Sequence, residues 1–342
     1  MIPLNDRENL ILKTTIEDFI SSGVPISSQK LYKRYFNSIS PATIRNTLAA
    51  LEKKGLLKHM HTSSGRLPTD SGYRYYVDTL IQENTTSMID EYDNVSSRLS
   101  AVADNLEDLL QATALMLGKI SRLFGVVMVS HQQRSILNDI ELVQMASDRI
   151  MVVLALKSGF IRSVVLNLDL AIKDSVLEVI NQALKDRLLG LSLDEIQDTI
   201  LDRMRETDVY DHEIVQVLIQ DSNKHFVISG DKLIYTSSFS QLLDYPEFHK
   251  IEKLQTLMAL FNEESLEGYF DKYLIADSEN ILIGKEMGDS NFTDCSIVTN
   301  PFDNENIRGQ MAILGPTRLP YEQIKTILTN FTEIIGNVSS RR

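Results

Sequence analysis

With a single cysteine, Cys295, in 342 residues, the chain cannot form an internal disulfide. That fits a reducing compartment, with the thiol expected to be buried and inert. No stretch reaches the roughly 18–20 uninterrupted apolar residues that a membrane span needs. The opening MIPLNDRENLILK carries Asp6 and Glu8 and lacks the basic head, apolar run and small-residue cleavage site of a signal peptide, so a cytoplasmic location without membrane contact is expected. Low-complexity tracts and internal repeats are missing as well. The composition, 43% apolar and 24% charged, is that of a globular chain, and the length suggests two or three domains at roughly 100–200 residues each.

Catalytic signatures are equally scarce. There is no GxxxxGK[ST] loop, no GxGxxG after a strand and no GxSxG elbow, and His212-Glu213 is not completed to HExxH because residue 216 is Gln. His59 and His61 alternate along one segment and would point the same way, but two ligands without a third make no metal site, and contact with a partner suits them better. The acid pairs Glu263-Glu264 and Asp303 with Glu305 read as solvated surface. Gly315-Pro316-Thr317-Arg318 could hold a ligand, or could simply turn the chain into a last helix. No catalytic residue, cofactor or metal is therefore expected.

What the chain does have is a charge asymmetry. The total is −13, which by itself argues against nucleic acid. From Ile26 to Tyr76, however, nine bases (Lys30, Lys33, Arg34, Arg45, Lys53, Lys54, Lys58, Arg66, Arg74) face two acids (Glu52, Asp70), a net +7 that leaves −20 for the rest. A small basic module joined to an acidic body keeps DNA in play.

That module reads as three helices and a hairpin, the order of a winged helix. Apolar residues at three- and four-residue steps predict a helix from Arg7 to Ser22, ended by Gly23. Ser27 caps a short second helix, and Ser40-Pro41 opens a third that runs to about Lys54. Residues 57–61 alternate as a strand, 62–65 turn, Leu67 starts a return strand, and a fourth helix follows from Asp70. On the third helix Ile44, Leu48 and Leu51 form a core stripe, and Ala42, Arg45, Asn46, Ala49 and Lys53 lie opposite. Arg45 and Asn46 could be an ordinary solvated face. They could instead read bases, since Arg matches the acceptor pair of guanine and Asn the acceptor–donor pair of adenine. The surrounding residues favour base reading. Ser27, Ser28, Ser40 and Thr43 sit at helix starts suited to phosphates, Lys53 suits the backbone, and His59, His61, Thr62, Ser63 and Arg66 form a basic wing, with Arg74 just beyond.

Farther on, Met88, Tyr92, Val95, Leu99, Val102, Leu106 and Leu109 mark one long helix with a heptad seam, which either pairs with a second copy or packs on its own domain. Strand-like runs at 125–130, 136–145, 150–156 and 161–168 predict one antiparallel sheet. Helices are expected from Ile172 to about Arg205, a strand at 213–220, a hairpin at 225–235, a helix at 246–262, strands at 280–283, 296–299 and 310–314, and a closing helix from Tyr321.

Two blocks, SPATIRNTLAALEKKGLLKHMHTSSGRLPTDSGYRYYVDTL and LIGKEMGDSNFTDCSIVTNPF…GQMAILGPTRLPYEQI, resemble the HrcA family of heat-shock repressors. GRLPTDSGYRYYVD is similar to that family's post-wing signature almost residue for residue, and ILGPTRLPY is a second, independent match. The departures are small: Ser64 stands where the family often has alanine, and the loop Asp303-Asn304-Glu305 is acidic. The resemblance implies a homodimer that binds the inverted-repeat CIRCE operator in double-stranded DNA upstream of groE and dnaK operons, with activity maintained by the GroE chaperonin. It also implies an α+β multidomain chain: an N-terminal winged helix-turn-helix and a GAF-like α/β domain carrying an inserted dimerisation domain. The corresponding boundaries are 1–83 for the winged helix, 84–171 for the linker helix and first GAF-like part, 172–235 for the insert and 236–342 for the second part. A winged-helix repressor whose GAF-like body senses a small molecule is the alternative.

Overall fold

The computed structural model describes residues 3–59, 65–79, 92–103, 105–130, 136–157, 159–169, 172–226, 232–250, 255, 257–258, 266, 268, 280–303 and 308–339. The first part is a small head of α1 (Asp6–Ser22), α2 (Ser28–Arg34), α3 (Pro41–Lys53), β1 (Leu57–His59), β2 (Arg66–Pro68) and α4 (Asp70–Thr79). Local chemistry sets these boundaries. Asn5 and Glu8 close a capping box on α1, Ser27 Oγ accepts from the Lys30 amide, and Ser40 Oγ accepts from the Thr43 amide ahead of Pro41 at the first helical position. β1 and β2 pair antiparallel with Lys58 opposite Leu67, and Ile26 bridges Arg66 through both backbone bonds (3.0 and 2.9 Å). Gly72 is there because α4 lies against the backbone that leads into β1: a Cβ would stand 2.1 Å from the Leu56 carbonyl oxygen. Ile11, Leu12, Ile16, Ile26, Leu31, Ile44 and Leu51 form the head's core, all fully buried.

The body holds two sheets rather than the single one expected. β3 (Phe124–Ser130) lies in a five-stranded antiparallel sheet of order β7-β3-β10-β9-β8, with β7 (Lys232–Thr236), β8 (Asn280–Ile283), β9 (Cys295–Asp303) and β10 (Arg308–Pro316). β4 (Leu137–Ala146), β5 (Arg149–Leu156) and β6 (Ile161–Asn167) form a separate meander. Runs of Val and Ile declare a strand but not its partner, which tertiary pairing decides. Helices α5 (Tyr92–Ala101), α6 (Leu106–Ser121) and α11 (Tyr321–Ser339) pack together, α6 on β3 and α11 on β9. The apolar positions expected inside the last helix, Ile324, Ile327, Leu328, Phe331, Ile334, Ile335 and Val338, are all buried.

The expected long helix is interrupted. α5 and α6 are separate because Asn105, extended at φ −115°, caps a fresh N-terminus by accepting from the Glu107 and Asp108 amides. Val95, Leu99, Leu106 and Leu109 are buried, with α5 against α11 and α6, so the seam packs on its own domain; Met88 lies outside the described residues.

The meander is followed by α7 (Asp174–Leu188), α8 (Leu193–Met204), α9 (Glu213–Gln220) and α10 (Ser222–His225), of which α7 packs on β4 and the rest on one another. Residues 213–220 were expected as a strand and are helical. Ile214, Val215 and Leu218 are the buried positions, a helical spacing that a short apolar run cannot distinguish from a buried strand until its neighbours are known. Of the hairpin expected at 225–235, His225 ends a helix and β7 pairs with β3, and residues 227–231 lie outside the described residues. Of the helix expected at 246–262, Pro246–Phe248 is a 3-10 turn, Gln255, Leu257 and Met258 are helical, and the other positions beyond Lys250 lie outside the described residues.

Candidate nucleic-acid interface

In the head, ionised side chains fasten the helices to one another. Asp18 on α1 is 2% exposed, yet Arg34 and the Tyr35 hydroxyl of α2 and its cap both donate to its Oδ1 at 2.9 Å, and the Lys30 ammonium pairs with Oδ2 at 3.5 Å. A carboxylate so buried is tolerable only because cations and a hydroxyl replace its water. Lys54, the cap of α3, grips Glu8 at 2.8 Å and so joins the end of α3 to the start of α1; its hydrogen bond holds the Glu8 carboxyl below the usual carboxylate range.

With its inner side fixed by Ile44, Leu48 and Leu51, α3 turns Ala42, Arg45, Asn46 and Lys53 outward, all exposed. Among the described residues no ion pair engages Arg45 or Lys53, and no hydrogen bond engages the side chain of Arg45 or Asn46. Ser40 is exposed at the start of α3, its hydroxyl 2.9 Å from that of half-buried Thr43, and Ser27 and Ser28 are half-buried at the start of α2. His59 is exposed at the end of β1, whereas His61, Thr62 and Ser63 lie outside the described residues. Such a face offers guanidinium, amide and ammonium donors over a stretch of small residues, which suits the grooves of a duplex.

Two expected contacts are placed elsewhere. Arg66 Nε donates to Glu52 of α3 at 2.9 Å, and its side chain is only 18% exposed, so it braces the hairpin against α3. Arg74 departs farther from the expectation. Its guanidinium donates to both carboxylate oxygens of Glu286 and to the Ile281 carbonyl in the body, which removes it from the open face. The whole head is also less basic than its 26–76 stretch: with α1 included, residues 1–79 carry eleven bases and seven acids, a net +4, and the remainder carries −17, which together give −13. Lys33 and Lys58 are exposed and in no ion pair among the described residues, so with Arg7 on α1 they join Arg45 and Lys53 as open cations of the head. No group of three or more potential metal ligands occurs among the described residues, and no described helix is long and apolar enough to cross a membrane.

A family model described as the HrcA protein C-terminal domain matches residues 107–324. The chain belongs to the HrcA family. Its relatives extend the match through the head: a Prosthecochloris aestuarii protein named heat-inducible transcription repressor HrcA is 31% identical and covers 99% of this chain and 98% of its own length. A Pelotomaculum thermopropionicum protein of the same name is 30% identical, covering 99% and 97%. In three dimensions, this HrcA-family chain superposes on the crystal structure of a hypothetical protein with a TM-score of 0.72 and 19% identity, covering 99% of each chain, a likeness of fold.

Proposed function

We propose that this chain is a heat-inducible transcription repressor that binds an inverted-repeat operator of the CIRCE type as a homodimer, each head acting as a winged helix with α3 in the major groove. The carrying observation is the outward, unengaged placement of Arg45 and Asn46 on a helix whose opposite side is sealed in the core. Arg45 and Asn46 read base edges; Lys33, Lys53 and Lys58 neutralise phosphates; Ser27, Ser28, Ser40 and Thr43 mark the helix starts that meet the backbone; His59 leads into the wing. No step of chemistry is required, since occupancy alone blocks transcription.

The five-stranded sheet with α5, α6 and α11 is the GAF-like body. The inserted unit runs from Leu137 to His225, longer than 172–235, because β4–β6 form a sheet of their own beside α7–α10. Its meander supplies the pairing surface. Val143, Met151 and Val165 stand side by side across the three strands; in the next rows Val153 lies between Glu141 and Ser163 and Ala155 between Asp139 and Ile161, with both carboxylates held by Lys185 of α7 along the β4 edge. Val143, Val165 and Ile161 are 43%, 48% and 68% exposed. A strand apolar on both sides, as β5 is, belongs where both sides are covered, and the side that carries Val143, Val165 and Ile161 is left open in the single chain. A second copy of the meander covers the other, and the chaperonin GroE tunes the activity of the resulting dimer.

Footprinting on the promoter of the organism's own groE operon tests the whole proposal. Protection of two half-sites related by two-fold symmetry is expected, and protection without that symmetry, or none, refutes it. Lys53→Ala should weaken operator and unrelated DNA alike and flatten the salt dependence by about one unit of log–log slope. An effect confined to the operator would remove Lys53 from the phosphate-contacting set.

A further inference from the structure

Base reading by α3 accounts for the start of the first family-like block, but not for its post-wing part GRLPTDSGYRYYVD or for the second block. In the structure they meet. Asp70, Tyr73 and Arg74 come from the post-wing block on α4, and Arg318 and Tyr321 from the block before α11, with the turn Gly284–Met287 between them.

Each side completes helix ends on the other. α1 has no basic residue in its last turn, and Arg318 of the body supplies one, donating to the Ile20 carbonyl at 3.3 Å. Arg318 is itself held by Glu247 at 2.5 and 3.2 Å and lies over the Tyr245 ring at 5.1 Å, with its side chain 11% exposed. In the other direction, Asp70 of the head accepts from the Lys285 amide at 3.3 Å at the start of the 3-10 turn. Gly284 there, at φ 54°, leaves no room for a side chain, since a Cβ would fall 2.5 Å from the Asp70 carboxylate carbon. Between these polar ends Tyr73 and Tyr321 pack with ring centroids 6.1 Å apart, 2% and 0% exposed. Tyr321 is anchored in the body through Ser296 (2.9 Å) and the Thr317 carbonyl (2.7 Å), and the Arg74–Glu286 fork closes the near side.

A single contact would permit rotation of the head, whereas three polar attachments around a buried aromatic pair do not. We infer that Asp70, Tyr73 and Arg74 on the head and Glu286, Arg318 and Tyr321 on the body form a clamp that fixes the angle of α3 to the body and thereby the half-site spacing that the dimer accepts. These are positioning residues for operator selection. The inference rests on the proposed two-fold operator reading, which supplies the second head.

The test uses the full-length protein and duplexes built on the repeat protected in the groE footprint: the natural spacing, spacings one base pair shorter and longer, and a single half-site. One base pair turns the second half-site by about 35° and moves it about 3.4 Å, more than a fixed head can follow. The wild-type protein should lose roughly tenfold or more in affinity at either altered spacing. Arg318→Ala, Glu286→Gln and Arg74→Gln should cut that penalty to less than about threefold while binding the single half-site within about twofold of wild type, and Arg318→Lys should restore part of the discrimination. Variants that keep the wild-type spacing profile overturn the clamp. So does loss of half-site binding in all of them, Glu286→Gln in the body included, because these side chains would then serve head folding instead of head orientation. A wild-type protein that binds one half-site as tightly as the paired repeat sinks the two-fold operator reading itself.

Discussion

Replacing Arg45 with alanine is expected to weaken operator binding by about 1–3 kcal/mol per half-site, and so by roughly 30-fold to 10⁴-fold for a dimer using both, while relaxing preference at one base position in each half. The magnitude is that of losing the proposed bidentate guanidinium contact to guanine, made twice in a two-fold dimer. Stability should be nearly unaffected, since Arg45 is exposed and joins no ion pair among the described residues. Mobility-shift titrations at one fixed salt concentration, on the operator and on single-base variants, separate this effect from a phosphate contact. If affinity and base preference both survive the substitution, α3 does not read the DNA.

The meander face should give an effect of similar size by a different route. Ile161→Asp combined with Val165→Asp places two carboxylates on a surface that is solvent-exposed in one chain and would be dry in the proposed dimer. The single chain should fold with little change, and the dimer should not form, because two buried, unpaired carboxylates per subunit cost far more than the apolar contact provides. Sedimentation should show a monomer, and operator affinity should fall roughly 10²–10⁴-fold as the linked second head is lost. A variant that still sediments as a dimer would move the pairing surface elsewhere.

The head was largely legible in the sequence because its signals are local. Ser27, Ser40-Pro41 and Gly23 act within one turn of themselves, and the stripe of Ile44, Leu48 and Leu51 fixes the outward side of α3 without knowledge of anything else. Errors arose where the deciding partner was remote. Arg74 resembled a groove contact until Glu286, 212 positions away, claimed it. The +7 window left out Glu8 and Asp18, which neutralise Lys54, Lys30 and Arg34 from a helix outside it. The octamer from Glu213 to Gln220 has the composition of a strand and became a helix because α8 and α10 offered it a helical berth. Likewise β3 and β4 looked like neighbours in one sheet, and only the arrival of β7 and β10 on either side of β3 separated them.

The division of charge carries one more consequence. A +4 tip on a −17 remainder makes each chain strongly polar in the electrical sense, so the field of a duplex exerts a torque on it well before contact. Approaches with the body first are repelled, and those that survive arrive with the head leading. Selecting the angle of approach in this way raises the fraction of productive collisions, and the advantage should fade as ionic strength shortens the reach of the field.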